Sequence, residues 1–115
     1  MYQQRYAEIA SESGKNARAK EREALEIAIK KLAVAKTRGP LTPEAFEATN
    51  YLRRLWAIFM EDLSNDENGL PESLRASLIS IGLWIRREAD LIDTGGSVNF
   101  DGLIEVNQLI ADGLV

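Results

Sequence analysis

Apolar residues return every three or four positions along the chain, the period of helices that each turn one face to a core. Tyr2, Tyr6 and Ile9 fall at i, i+4 and i+7 on one stripe. The stripe resumes with Ala24, Leu25, Ala28, Ile29, Leu32 and Ala35, while Lys30, Lys31 and Lys36 take the solvated side. Gly14 interrupts the run and Asn16 can cap a fresh start, so residues 2–13 and 16–37 read as one long helix or two successive ones. Lys36 and Arg38 suit the negative end of the helix dipole, and Gly39-Pro40 stops the element.

The second helix has a clear start: Thr42 is an N-cap candidate, Pro43 suits the first helical position and Glu44 complements the positive helix end. Leu52, Leu55, Trp56, Phe59, Met60 and Leu63 form its wide apolar face, and the polar stretch Ser64 to Gly69 ends it. Pro71 is placed at the first position of a third helix that runs to Thr94-Gly95-Gly96-Ser97. Leu74, Leu78, Ile81, Ile85 and Ala89 mark one face of it, while Ile79, Leu83, Trp84 and Ile92 occupy others. Between residues 78 and 85 this helix is apolar most of the way round, so it is either central or covers the core with one face and a partner with another. A last helix runs from about Asn99 or Phe100 to Asp112, with Leu103, Ile104, Val106, Leu109 and Ile110 inside it. No sustained period of two occurs, and the short connections favour antiparallel neighbours. The expected fold is all-α, a bundle of four to five mostly antiparallel helices in a single domain over residues 1–115.

Composition narrows what such a bundle does. With 45% apolar residues a real core is affordable, and disorder is not expected. Absence of cysteine removes disulfides, thiolate metal sites and a thiol nucleophile. Absence of histidine removes the commonest general base and transition-metal ligand. No nucleophile–base pair is visible, so no enzymatic activity, metal or cofactor is expected. No signal-peptide core follows Met1, and no apolar run approaches the ~20 residues that cross a bilayer, which reads as cytoplasmic.

Net charge is −4 and uneven: residues 1–38 carry nine Lys/Arg against five Glu, and residues 39–115 carry five Arg against thirteen Asp/Glu. Glu21, Glu23 and Glu26 are interleaved with Lys15, Arg18, Lys20 and Arg22, which favours a solvated helix face over a nucleic-acid surface. Asp62, Asp66, Glu67 and Asn68 lack the ordered ligand spacing of a calcium loop and read as a solvated turn. Trp84 suits the core and an interface equally, because it follows Leu83 and precedes Arg86 and Arg87, a Trp/Arg combination typical of binding hot spots. Tyr2 and Tyr6 either clamp the first helix to the bundle or offer an aromatic handle to a partner, with packing inside the domain favoured. Leu83, Trp84, Arg86, Arg87, Tyr2 and Tyr6 are therefore the candidate partner-binding residues.

Several blocks, in order and over nearly the whole chain, carry a family resemblance. They are Tyr2-Gln3-Gln4-Arg5-Tyr6, Arg22-Glu23-Ala24-Leu25-Glu26, Asn50-Tyr51-Leu52-Arg53-Arg54-Leu55-Trp56 and Glu61-Asp62-Leu63. The strongest is Asn68-Gly69-Leu70-Pro71-Glu72-Ser73-Leu74-Arg75-Ala76-Ser77-Leu78-Ile79-Ser80-Ile81, followed by Leu103-Ile104-Glu105-Val106-Asn107-Gln108-Leu109-Ile110 and Gly113-Leu114. In these the chain resembles the flagellar biosynthesis regulator FlaF. The resemblance implies promotion of flagellin synthesis and export, work alongside the opposing regulator FlbT, and direct, chaperone-like binding of flagellin. The apolar circumference of residues 78–85 is the expected groove wall for a helical segment, with Arg86 and Arg87 as its polar rim. Two alternatives stand beside it: a regulator that touches flagellin mRNA through the basic first helix, and an adaptor that homodimerises through the third.

Overall fold

The apolar stripes become four helices: α1 (Tyr2–Arg38), α2 (Pro43–Leu63), α3 (Glu72–Asp93) and α4 (Phe100–Asp112). The structure is a computed structural model that describes residues 2–114, with side chains from Gly14 onward. No strand occurs among the described residues. Residues 2–38 form one continuous helix rather than two. Gly14 costs about 1 kcal/mol relative to alanine but removes no hydrogen bond, and the good helix formers that follow it, Ala17 and Ala19 among them, carry the helix through.

The caps follow from local chemistry. Thr42 is extended (φ −106°, ψ 158°), its Oγ1 accepts from the Ala45 N–H at 3.2 Å, and Pro43 starts α2. Asn99 caps α4 by accepting from the Gly102 N–H at 3.0 Å. Pro71 sits one place earlier than its expected helical position: it is the N-cap of α3, its carbonyl accepting from the Arg75 N–H at 3.0 Å. A proline has no N–H to satisfy in either place, so both are tolerated. Between α1 and α2 the chain turns through two left-handed residues, Gly39 (φ 92°) and Leu41 (φ 64°). The second is unusual for a leucine.

Polar contacts between helices set their directions. Lys31 pairs with Glu47 at 2.6 Å, which aligns α1 and α2 antiparallel. Arg53 reaches Asp93 at 2.6 Å and Asp90 at 3.2 Å, aligning α2 and α3 antiparallel. At one end of α4 Lys36 pairs with Asp101 at 2.8 Å, and just past its other end Arg22 donates to the Leu114 carbonyl at 3.0 Å, so α4 runs antiparallel to α1. The helices thus lie side by side in the order α4, α1, α2, α3, with α1 packed on both α2 and α4, and α2 on α3.

The core lies along α1, where Leu25, Ala28, Leu32 and Ala35 are fully buried. Ala45 and Ala48 of α2 oppose this stripe with equally small side chains, followed by Leu52, Leu55 and Trp56. Ile85 and Ile92 come from α3, and Phe100, Leu103 and Ala111 from α4. Two polar side chains are buried with them. The Thr49 hydroxyl lies 2.6 Å from Asp93 Oδ1. Asn107 accepts from Trp56 Nε1 at 2.8 Å and donates to the Leu103 carbonyl at 2.7 Å, so both of its polar atoms have partners.

Candidate protein-binding surface

α3 is an outer helix closely packed on α2 alone, and this decides which of its many apolar residues stay uncovered. Gly82, Ile85, Ala89 and Ile92 form its buried face. Leu74 and Leu83 are exposed, Leu83 at 55%, while Leu78, Ile79, Ile81 and Trp84 are half-buried. The apolar surplus read from residues 78–85 therefore lies on two flanks of α3.

On the first flank a pocket of about 330 Å³ opens between α2 and α3, lined by Arg53, Trp56, Ala57, Met60, Gly82, Leu83, Ile85 and Arg86. Its depth depends on Gly82: a Cβ there would collide with the Met60 thioether and come within 3.2 Å of the Trp56 ring. Trp56 is 3% exposed and meets Phe59 edge-on with ring centroids 5.3 Å apart, so the floor is rigid. Arg53 is held by Asp90, Asp93 and the Asn50 side chain, whereas Arg86 is exposed at the mouth. A shallower depression continues along the same flank past Leu83, Arg86, Arg87, Asp90 and Leu91.

On the second flank α3 and α4 are separated by a cleft of about 360 Å³, lined by Ser80, Ile81, Trp84, Val106, Leu109 and Ile110. Ile110 also lines a smaller pocket at the end of the bundle, together with Glu21, Phe59, Asp62, Leu70, Leu78 and Leu114. The Glu21 carboxyl is pushed above its ordinary value, chiefly by burial and further by the neighbouring Asp62 carboxylate, with Arg18 opposing.

The structure brings Leu83, Arg86 and Arg87 together on the first flank and sets Trp84 on the second, facing α4. Tyr2 and Tyr6 lie outside the residues whose side chains the structure describes. Met60 was read only as part of the apolar face of α2, and Ala57 and Arg53 were not among the candidate binding residues, because their contribution depends on how closely α2 and α3 approach. Leu109, one of the apolar residues of the last helix, is 66% exposed. Its neighbour Ile110 is half-buried and packs against the core.

The loop after α2 is closed by its own side chains. Asn68 Nδ2 lies 3.2 Å from both Asp62 Oδ2 and the Asp62 carbonyl, and Asn65 Oδ1 accepts from the Glu67 N–H at 2.9 Å. Among the described residues no group of three or more His, Cys, Asp or Glu side chains is arranged to hold a metal ion. Nor, among them, is any helix long and apolar enough to cross a membrane.

Neither a curated protein nor a solved structure matches the chain. One family model does, that of the flagellar protein FlaF, over residues 2–114. A match that runs through all four helices, including both flanks of α3, leaves the assignment plain: the chain belongs to the FlaF family of flagellar proteins.

Proposed function

We propose that this chain promotes flagellin synthesis and export by binding flagellin as a chaperone-like protein in the cytoplasm, alongside an FlbT-type regulator. The observation that carries the reading is the apolar pocket between α2 and α3, with Trp56 and Met60 at its floor and Leu83 and Arg86 at its mouth. A preformed groove of this kind receives one face of an amphipathic helix, whose anchors recur at i, i+3, i+4 and i+7. Amphipathic segments of an unassembled subunit aggregate when exposed, and covering them is what a chaperone does.

The nucleic-acid alternative has less support. Lys31, Lys36 and Arg38 of α1 are each paired with a carboxylate, of Glu47, Asp101 and Glu44, which offsets part of the field a phosphate backbone needs. Calorimetry with flagellin tests the reading. Leu83→Ala combined with Arg86→Ala, both at exposed positions, is expected to weaken binding about tenfold or more, the range of a hot-spot truncation. Full affinity in that variant, with its helical content unchanged, would exclude the α2–α3 pocket as the flagellin site.

A further inference from the structure

The groove between α2 and α3 is lined by charge as well as by apolar surface, and its charges do not balance. Arg53, Arg86 and Arg87 line the pocket and the depression that continues it, against a single carboxylate, that of Asp90. Asp90 stands one turn on from Arg86, yet it pairs with Arg53 at 3.2 Å, and Asp93 pairs with the same guanidinium at 2.6 Å. Among the described residues neither Arg86 nor Arg87 pairs with any carboxylate, and both are exposed. We propose that the occupant of this groove is an amphipathic helix of a partner protein whose apolar stripe is bordered by Asp or Glu, which pair with Arg86 and Arg87. In the reading above, on which this rests, that helix belongs to flagellin.

The apolar contacts set the spacing of the occupant. Leu83 and Leu91 are both exposed along the groove, eight residues and so about 12 Å apart on their helix. That is close to the distance between the i and i+7 anchors of a second helix laid beside α3. Between α2 and α3 the Met60 thioether lines the pocket, and its flexible side chain can adjust to the shape of an incoming anchor. A helix satisfies its own backbone hydrogen bonds, so it enters such a slot without stranding polar groups.

The rim sets the charge. An occupant seated on Leu83 covers Arg86, which lines the pocket and the depression alike. A guanidinium covered without an acceptor loses water and gains nothing, whereas a carboxylate meets its fork of N–H donors in a paired geometry. Excluding water from the groove strengthens that pair. No other carboxylate competes for the site: Glu61 of α2 lines neither depression, and Glu88 accepts from the Ser97 hydroxyl at 3.2 Å. The rest of the chain works the other way. Net charge is −4, so the long-range field favours a basic peptide, and a preference for an acidic one has to come from the arginines themselves.

The test uses the full chain and two labelled synthetic helices of about 14 residues. Each has leucine at i, i+4, i+7 and i+11, and they differ only beside that stripe, where one carries glutamate and the other lysine. Fluorescence anisotropy is expected to show the glutamate peptide binding about tenfold more tightly. Arg86→Glu with Arg87→Glu, both at exposed positions, is expected to reverse the preference while circular dichroism stays unchanged. Leu83→Ala is expected to weaken both peptides about tenfold, whereas Leu109→Ala, exposed on the other flank of α3, leaves them unchanged. Equal binding of the two peptides, a glutamate preference that survives the double reversal, or binding untouched by Leu83→Ala overturns the proposal. So does a concentration-dependent dimer in sedimentation that the reversal dissolves, because the occupant is then a second copy of this chain. The flagellin reading fails separately. If flagellin keeps full affinity in Leu83→Ala with Arg86→Ala while the glutamate peptide loses it, the acidic helix belongs to another protein. If flagellin loses affinity there and the two peptides bind equally, the flagellin site stands and the charge preference does not.

Discussion

Asn107 and Trp56 give the sharpest stability prediction. Asn107 is fully buried and accepts the Trp56 indole N–H at 2.8 Å, a side-chain hydrogen bond that joins α4 to α2 across the core. In Asn107→Leu, which keeps the branched shape but adds bulk, the indole N–H stays buried and loses its acceptor. Desolvation without a partner costs about 1–3 kcal/mol. Trp56→Phe leaves the Asn107 carbonyl oxygen without its donor and also opens space where the second indole ring was, for a total of about 3–5 kcal/mol. When both are changed together, neither orphan exists. The double variant should therefore be less destabilised than the two single costs added, with a coupling of about 1–2 kcal/mol.

Urea unfolding followed by far-ultraviolet circular dichroism measures all four proteins, and is preferred to fluorescence because one of only two tryptophans is changed. In a domain of this size each 1 kcal/mol moves the melting temperature by about 4 °C, so the effects are well resolved. Additivity of the two substitutions within about 0.5 kcal/mol would refute the reasoning, since it would mean that the hydrogen bond does not link the two side chains energetically.

Three further outcomes follow from the geometry. Gly82→Val should lower stability by about 1–3 kcal/mol in thermal melts, because its branched side chain must displace Met60 and press on the buried Trp56; unchanged stability would mean that α3 can move off α2 without loss. Leu41→Asn should raise stability by about 0.5–1 kcal/mol, since asparagine tolerates the left-handed conformation at φ 64° better than leucine; a loss would show that the Leu41 contact with Gly95 outweighs the backbone. Glu21→Gln should stabilise at pH 7 and not at pH 4: burial and Asp62 raise the folded carboxyl above 4.5, so ionisation costs stability as pH rises through the folded value, and the variant's advantage fades below the unfolded one. Urea midpoints at the two pH values check this, and an equal gain at both would assign the effect to something other than titration.

What the sequence made legible was local. Thr42, Pro43, Asn99 and the Gly39-Pro40 stop act within one turn of their own backbone, and each lies where the pattern of residues places it. The continuity of α1 through Gly14 was less legible, because one glycine lowers helix propensity without forbidding the helix. Which flank of α3 each apolar residue joins was not legible at all. Periodicity fixes the angle between Leu83 and Trp84 on their helix, and says nothing of which neighbour stands at each angle.

That neighbour is set by contacts distant in sequence. Arg53 ties α3 to α2 through Asp90 and Asp93, while Lys36 and Arg22 tie α4 to α1. With α3 and α4 anchored to different helices, the bundle completes its core through Trp56 and Asn107 without bringing them into close contact. Ile81 and Trp84 pack against the edge of that core and stay half-buried, whereas Leu109 beside them is 66% exposed and adds little to it.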